Sequence, residues 1–339
     1  MDGARHDVEG FVDRESNRTV DVFAACPSAT GASPKSYLKR VRDVARWSER
    51  QRFRGALVRT DETLIDPWLV TQTAVQGTRT LVPLVVVQPT HMHPFPVARK
   101  VATLACLYGR RVFIHWVAGS LKDDVPHDER YARLVEFATI VRQLTDGTAV
   151  TAEGRYYDAR GLELRQAVDA ALRPEFVVSG SSTAGRAASQ ALGALSLTHA
   201  LPPDEDQVPS LEIGPSAALR IGIIARRDGD EAWRVAHRRF SPAHRRAYGA
   251  IGWARHPDDL RLSGERAATG TTYWTEPFEN YQTMCPYLVG SHEEVSSALA
   301  RYVQRGYGTF VLDEPDSEAD LENARIVFDN ARRTILEAA

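Results

Sequence analysis

The fold is decided by three consecutive segments, TLVPLVVV (residues 80–87), VARKVATLACLYG (97–109) and RVFIHWV (111–117). The first and last are short, apolar and rich in β-branched residues, as is typical of strands that are buried on both faces. The middle segment has the pattern of a helix. A strand, a helix and a second strand in this order predict two parallel strands of one sheet, with the helix covering it.

The same alternation extends in both directions along the chain. Helical patterns, such as residues 128–145 and 293–305, separate the apolar runs and carry one apolar face each. Eight runs are candidate strands: residues 20–25, 55–59, 80–87, 111–117, 175–180, 194–199, 219–225 and 308–312. Eight strands that alternate with helices predict an α/β fold, and specifically a (β/α)₈ TIM barrel with insertions. An open doubly wound sheet is the alternative, but no GxGxxG motif follows the first strand.

Two stretches are longer than ordinary connections. Residues 146–164 include TAEGRYYDARGLEL, which has the pattern of a small hairpin. Residues 244–287 are rich in Gly, Pro and aromatic residues, and we interpret them as a lid or as an insertion that packs on a neighbouring subunit. The charged segment 1–18 is expected to be a flexible leader, which leaves 19–339 as a single barrel domain.

Composition narrows the class of partner. The 339-residue chain has 42 basic and 44 acidic residues, a balance that argues against binding to nucleic acid or to an anionic membrane surface. The three cysteines, Cys26, Cys106 and Cys285, form no CxxC motif and fit a reducing, cytoplasmic environment better than a disulfide framework or a zinc site. No apolar run approaches the roughly 20 residues that span a bilayer. We expect a small-molecule substrate.

Catalytic groups of such barrels lie where the strands end, so the residues after each strand are candidates. His91 and His93 follow the third strand; they could contact a cofactor ring, act in acid–base chemistry, ligate a metal or simply keep a loop polar. A metal is not expected, because no carboxylate lies close to the two histidines in sequence. His115 lies within the fourth strand and is either a core residue or a catalytic group.

Two helix starts have the composition of an anion site. The turn Ser179-Gly180-Ser181-Ser182-Thr183 precedes a helical segment, where backbone N–H groups and the helix dipole favour a phosphate; an ordinary Ser/Thr helix cap is the alternative. His127 and Tyr131 are four residues apart in the HDERY segment and share one helix face, so both could reach one ligand group.

Together these segments resemble the alkanesulfonate monooxygenase branch of the luciferase-like, flavin-dependent superfamily. The core of the resemblance is VARKVATLACLYGRRVFIHWVAGS (97–120), HDERYARLVEFATIVRQLTDG (127–147) and FVVSGSSTAGRAA (176–188), in the expected order and spacing. The flanks VDVFAACPSA (20–29), RIGIIARRDGDEAW (220–233) and LVGSHEEVSSALARYVQRGYGTFVL (288–312) extend it over most of the chain.

The resemblance implies a two-component monooxygenase. Reduced FMN comes from a separate flavin reductase, binds in the barrel mouth and reacts with O₂ to a C4a-(hydro)peroxyflavin that oxygenates the substrate. By position, the turn from Ser179 to Ser182, with Gly180 and Ser181, would hold the FMN phosphate, and His127 with Tyr131 would contact the phosphate or the ribityl chain. His115 stands where the family usually has an asparagine beside the isoalloxazine. Homo-oligomers, dimers or tetramers, are usual in the family.

The sequence departs from the sulfonate enzymes at the substrate end. Arg220 is retained as a candidate catalytic residue, but Gly222 replaces a histidine, and Leu64 and Tyr281 stand near positions of a cysteine and an arginine. The family's tyrosine after the last strand is missing. A strong anion needs paired cationic donors once water is excluded, so desulfonation is not expected.

Histidines and aromatic residues replace the lost groups. We assign to the substrate pocket His91, His93, His115, Trp116, Tyr273, Trp274 and Tyr281. They suit a larger or neutral substrate, such as an amine to be N-hydroxylated or an unsaturated carbon skeleton, in specialised biosynthesis. A deazaflavin-dependent oxidoreductase and a catalytically silent flavin-binding protein are the alternatives, because fold alone does not decide function.

Overall fold

A computed structural model describes residues 20–28, 33–59, 65–119, 125–203, 217–241 and 272–338. The predicted leader, Leu64 and residues 244–271 of the predicted lid lie outside the described residues. No described helix is both long enough and apolar enough to cross a membrane.

Eight parallel strands close into a barrel, as the sequence predicted. In barrel order they are β1 (Asp21–Ala25), β2 (Gly55–Val58), β3 (Val82–Val87), β4 (Phe113–Trp116), β7 (Glu175–Ser179), β8 (Leu195–His199), β9 (Ala217–Arg226) and β12 (Thr309–Leu312). β8 pairs with β9, and β12 pairs with both β9 and β1, which completes the ring. All eight predicted strands are confirmed, and the open doubly wound alternative is excluded.

Helices cover the outside of the barrel. They are α1 (Pro34–Arg50), α2 (Pro67–Gln76), α3 (Pro94–Tyr108), α4 (His127–Thr145), α5 (Thr183–Ala191), α6 (Gly229–Arg239), α7 (Glu276–Glu279), α8 (His292–Gln304) and α9 (Glu318–Ala338), with a 3₁₀ turn at Ala170–Leu172. The first three begin with proline, which fits the first helical position because its missing N–H would have no partner there. The two helices predicted from apolar faces, α4 and α8, are confirmed.

The barrel interior is filled by inward-facing side chains from the strands. One buried cluster draws members from all eight barrel strands: Phe23, Ala25, Leu57, Val82, Leu84, Val86, Phe113, Val117, Val177, Leu197, Ala218 and Val311. Since successive side chains of a strand point to opposite faces, His115 shares the inner face with Phe113, and Arg220 shares it with Ala218. Their neighbours Ile114 and Leu219 belong to clusters that include helix residues.

Trp116 corrects the sequence analysis, because it faces away from the barrel interior. It is fully buried and packs edge-on against Phe137 of α4 and Phe176 of β7. Since Trp116 directly follows the inward-facing His115, strand geometry sends the two side chains to opposite faces. Trp116 therefore stabilises the strand–helix layer and does not line the substrate pocket.

Two additions lie beside the barrel. The predicted hairpin is confirmed as β5 (Val150–Glu153) with β6 (Asp158–Leu162). The second addition was not predicted: β11 (Tyr287–Ser291) pairs in parallel with the C-terminal half of β9, and β10 (Tyr273–Trp274) pairs with β11. β9 thus extends beyond the barrel and carries a second, smaller sheet at its end.

An ion-pair network fixes α9 against the end of β9. Asp320 is 5% exposed and accepts hydrogen bonds from Arg226, at 2.8 Å, and from Arg239 of α6. Arg239 also pairs with the more exposed Asp316, at 2.6 Å. The two arginines hold the pKa of Asp320 below its ordinary value despite the burial of the carboxylate.

Candidate active site at the mouth of the barrel

The turn between β7 and α5 forms a cradle against Tyr131. Gly180 has a φ of +138°, and a Cβ atom at this position would lie 2.2 Å from the Tyr131 hydroxyl oxygen. That hydroxyl donates a hydrogen bond to the carbonyl oxygen of Ser179, at 2.8 Å. Only glycine therefore allows the turn to approach the tyrosine so closely.

Helix α5 begins directly at this turn. The Ser182 hydroxyl caps it by accepting a hydrogen bond from the Gly185 N–H, at 3.1 Å, and Arg186 donates to the carbonyl oxygen of Ser181. A capping hydroxyl still has its own proton to donate, and the first-turn amides of a helix lack intrahelical partners. The cap and the anion site that the sequence left as alternatives are thus compatible at Ser181 and Ser182.

His127 lies beside the same cradle, as the shared helix face predicted. Its ring centre is 5.1 Å from that of Tyr131, and its Nδ1 is 3.2 Å from the Asp128 carboxylate. The sequence-predicted group His127, Tyr131 and residues 179–182 is therefore linked through Tyr131 at the starts of α4 and α5.

His115 is a buried polar residue in the barrel mouth. It is 1% exposed, and neither ring nitrogen has a hydrogen-bond partner among the described residues. Burial, together with a smaller contribution from the positive charge of Arg220, lowers the pKa of His115 to about 3. The imidazole is therefore neutral at pH 7, with one nitrogen able to donate and the other able to accept.

Arg220 lies on the inner face of β9, opposite His199 of β8 in register. It is 6% exposed, and its Nε and Nη2 have no partner among the described residues. The guanidinium does reach the Cys285 thiol; burial nevertheless raises the pKa of that thiol far above its ordinary value, so Cys285 is a neutral thiol. The structure thus places His115 close enough to Arg220 for the charge of the guanidinium to act on the imidazole.

His91 and His93 lie at the rim and not inside the mouth. Both are exposed; His93 caps α3 by accepting a hydrogen bond from the Phe95 N–H, at 3.3 Å, and its ring contacts Tyr157 edge-on. The structure does not bring them together with His115. The described residues contain no group of three or more His, Cys, Asp or Glu side chains that could hold a metal ion.

The described end of the predicted lid packs on its own chain. Tyr273 donates a hydrogen bond to the carbonyl oxygen of Ala200, and Trp274 is buried against α6. Phe278 contacts the ring of His199, with centres 5.0 Å apart, and so reaches the barrel mouth. Tyr281 is 44% exposed.

Several mouth residues were missed by sequence reasoning. Asp313 follows β12, is 8% exposed and accepts a hydrogen bond from the Tyr287 hydroxyl at 3.0 Å. Arg59, which follows β2, lies 4.0 Å from Asp313. Both residues directly follow a strand, and this position is the signal by which the sequence could have revealed them. The same rule, that functional residues lie where the strands end, had pointed to His91 and His115. Tyr287 gave no such signal because β11 was not recognised.

The sequence matches the family model of luciferase-like monooxygenases over residues 19–309. The chain belongs to the luciferase-like monooxygenase family. It is thus an enzyme of flavin-dependent oxidation, as the sequence resemblance implied.

The sequence identity to individual relatives and solved structures is low. The monooxygenase BtrO of Niallia circulans, named for a 4-(gamma-L-glutamylamino)butanoyl acyl-carrier-protein substrate, is 26% identical over 84% of this chain and 89% of its own length. The structure of EDTA monooxygenase from Chelativorans sp. BNC1 is similar with a TM-score of 0.69, at 14% identity and covering 94% and 95% of the two chains. An F420-dependent secondary alcohol dehydrogenase is similar with a TM-score of 0.63, at 18% identity and covering 93% and 99%. The two structural likenesses concern the fold.

The mouth of this family member fits a flavin. Gly180 lets the turn after β7 pack directly against Tyr131, and the start of α5 beside it offers donors to a phosphate. The nitrogens of the neutral His115, which have no hydrogen-bond partner among the described residues, offer one donor and one acceptor to a heteroaromatic ring.

Proposed function

We propose that the protein is the oxygenase component of a two-component, reduced-FMN-dependent monooxygenase that acts on a neutral organic small molecule in biosynthesis. The observation that carries the proposal is the pairing of a phosphate cradle at Gly180 with a neutral, unpartnered His115 inside the same barrel mouth. A separate flavin reductase would supply the reduced cofactor. We place the enzyme in the cytoplasm and expect it to be a homo-oligomer. Light scattering of the purified protein tests the oligomeric state.

The phosphate end is held by the turn after β7. Ser181 and Ser182 would donate from their hydroxyls and, with their backbone amides, surround the phosphate at the positive end of the α5 dipole. Tyr131 orients this turn through its bond to Ser179, and His127 would approach the ribityl chain or the phosphate. Hydrogen bonds to a charged group contribute about 1.5–3 kcal/mol each.

The ring end is governed by His115. Reduced flavin, when bound, would activate O₂, which is the source of the oxygen atom that is transferred. A neutral imidazole can donate one hydrogen bond to the ring and adds no second positive charge beside Arg220. The buried barrel wall excludes water around both groups.

The substrate end argues against an alkanesulfonate. The Tyr287 ring occupies the space beside Gly222, where a Cβ would lie 2.3 Å from the ring. Asp313 adds a carboxylate to the same end, so the positive charge of Arg220 is partly compensated. A sulfonate would meet one cation and one anion where it needs paired cations.

A deazaflavin-dependent oxidoreductase is the second candidate, supported by the likeness to the F420-dependent alcohol dehydrogenase. A silent flavin-binding protein is the third. Anaerobic titration of the purified protein with reduced FMN, oxidised FMN and a deazaflavin, followed by the addition of O₂, separates them. We expect the tightest binding for reduced FMN; tighter binding of the deazaflavin would favour the second candidate, and FMN binding without any effect on the reaction with O₂ would favour the third.

A further inference from the structure

Two buried, oppositely charged side chains lie on the inner face of adjacent strands at the substrate end of the mouth. Arg220 of β9 is 6% exposed and Asp313 after β12 is 8% exposed. In register Val311 pairs with Arg220, so Asp313 lies one step further toward the mouth on the same face. Arg220 Nε and Nη2 and Asp313 Oδ1 have no hydrogen-bond partner within the described part of the chain.

The surroundings hold both side chains in place. The Tyr287 hydroxyl donates to Asp313 Oδ2 at 3.0 Å, and the Arg59 guanidinium lies 4.0 Å from Oδ1, beyond hydrogen-bond distance. Tyr287 is itself fixed because the Gly222 N–H donates to the carbonyl oxygen of Pro286, at 2.8 Å. The neutral Cys285 thiol lies beside Arg220. Buried polar atoms are nearly always satisfied, so donors and an acceptor that make no hydrogen bond to any described residue indicate a ligand.

The charges around these atoms balance. Arg59 lies 4.0 Å from Asp313 and 3.5 Å from Glu314, which gives two cations, with Arg220, against two carboxylates. Arg40 contacts Glu314 from α1 with a side chain that is 30% exposed, and solvent screens its charge. His115 is neutral. A ligand with a full charge would therefore bring an uncompensated charge into a buried site.

We propose that Arg220 and Asp313 form a substrate-binding pair that selects a neutral head group with one hydrogen-bond acceptor and one donor, of which a carboxamide is the simplest. The acceptor takes the Arg220 N–H groups, and the donor meets Asp313 Oδ1. This inference rests on the proposed function, because it assigns the substrate end of the same site. It makes Asp313 a specificity-determining residue.

Four short probes of matched size test the pair: butyramide, butyrate, n-butylammonium and propane-1-sulfonate. Their dissociation constants are measured by ligand-observed NMR on the full chain, with and without FMN. For the wild type we expect butyramide to bind at least tenfold more tightly than the three charged probes. A charged probe that binds as tightly as butyramide would overturn the proposal.

Two variants reverse the preference in opposite directions. Asp313→Asn leaves the site net positive and should shift the preference at least tenfold toward butyrate and propane-1-sulfonate. Arg220→Gln leaves it net negative and should shift the preference toward n-butylammonium. Asp316→Asn removes the same charge at a carboxylate that faces Arg239 and should keep the wild-type order.

The substrate-binding pair and the proposed function are contradicted by different results. Should Asp313→Asn fail to fold, Arg220→Gln alone decides, and an unchanged probe order in the folded variant overturns the pair. FMN affinity, measured on the same samples, tests the proposed function separately. Wild-type protein that binds FMN without preferring butyramide contradicts only the substrate-binding pair, whereas protein that binds butyramide but not FMN contradicts the cofactor assignment.

Discussion

At the scale of single residues, the direction of a side chain matters as much as its chemistry. His115 and Trp116 are adjacent, and sequence reasoning assigned both to the pocket. Strand alternation sends His115 into the barrel and Trp116 against α4. The sequence shows which residue types lie at a strand end. This pair shows that the alternation of inward- and outward-facing positions along the strand must also be considered, because it decides which side chains face the pocket.

The buried His115 should make stability depend on pH. Its pKa in the folded state is about 3, against an ordinary value of 6.5, so the unfolded chain takes up a proton between these values and the folded chain does not. This contribution to the free energy of unfolding is complete above pH 6.5 and falls by up to about 1.4 kcal/mol per unit as the pH drops toward 3. From pH 7.5 to 5.0, His115→Asn should therefore lose about 2 kcal/mol less than the wild type in urea unfolding.

His91→Asn is the matched control for this experiment, since His91 is exposed. It should retain the pH dependence of the wild type. Equal pH dependence in His115→Asn and in the wild type would mean that His115 is not held neutral in the folded protein.

Gly180→Ala should weaken FMN binding at least tenfold. The new Cβ would lie 2.2 Å from the Tyr131 hydroxyl, and the φ of +138° adds strain of about 1–3 kcal/mol to a non-glycine residue. Combining Gly180→Ala with Tyr131→Phe removes the nearest atom and should recover part of the affinity, as measured by quenching of flavin fluorescence.

Gly161→Ala provides the comparison for the cradle. Gly161 also has a left-handed φ, +58°, but nothing lies within 4 Å of its Cβ position, and it belongs to β6 of the hairpin. FMN affinity should stay at the wild-type value in this variant. A Gly180→Ala protein with wild-type affinity would remove the cradle from the flavin site.

At the scale of elements, β9 connects the predicted and the unpredicted parts of the molecule. The apolar run 219–225 predicted this strand, and its first half closes the barrel. Its second half pairs with β11. Because the five residues of β11 directly precede α8, the sequence analysis did not recognise them as a separate strand. The contacts of Tyr287 with Gly222 and Asp313 arise only from this long-range pairing, so local pattern could not reveal them.

The ion pairs at the end of β9 give an element-scale prediction. Asp320→Asn leaves Arg239, whose side chain is 8% exposed, without its buried partner, which should cost about 3–5 kcal/mol in the free energy of unfolding. Asp316→Asn removes the partner that is 42% exposed and should cost less than about 1 kcal/mol. Chemical denaturation of the two variants measures both values; equal losses would mean that the network does not anchor α9.

At the scale of the whole molecule, the barrel was accessible from sequence, and the cluster of charged residues at its mouth was accessible only in part. Eight apolar runs predicted eight strands, and short local motifs singled out His127 and Gly180. Of Arg59, Arg220 and Asp313, only Arg220 was a candidate from the sequence. The three residues come from strands far apart in the chain, and because barrel closure brings them together, no local spacing could predict their proximity.

The central claim is that this mouth binds reduced FMN and controls its reaction with O₂. The most direct test mixes the anaerobic complex of protein and reduced FMN with oxygenated buffer in a stopped-flow spectrometer. We expect a transient absorbance that differs from both reduced and oxidised FMN and decays more slowly than free reduced FMN is oxidised. Oxidation that cannot be distinguished from that of free reduced FMN would contradict the account.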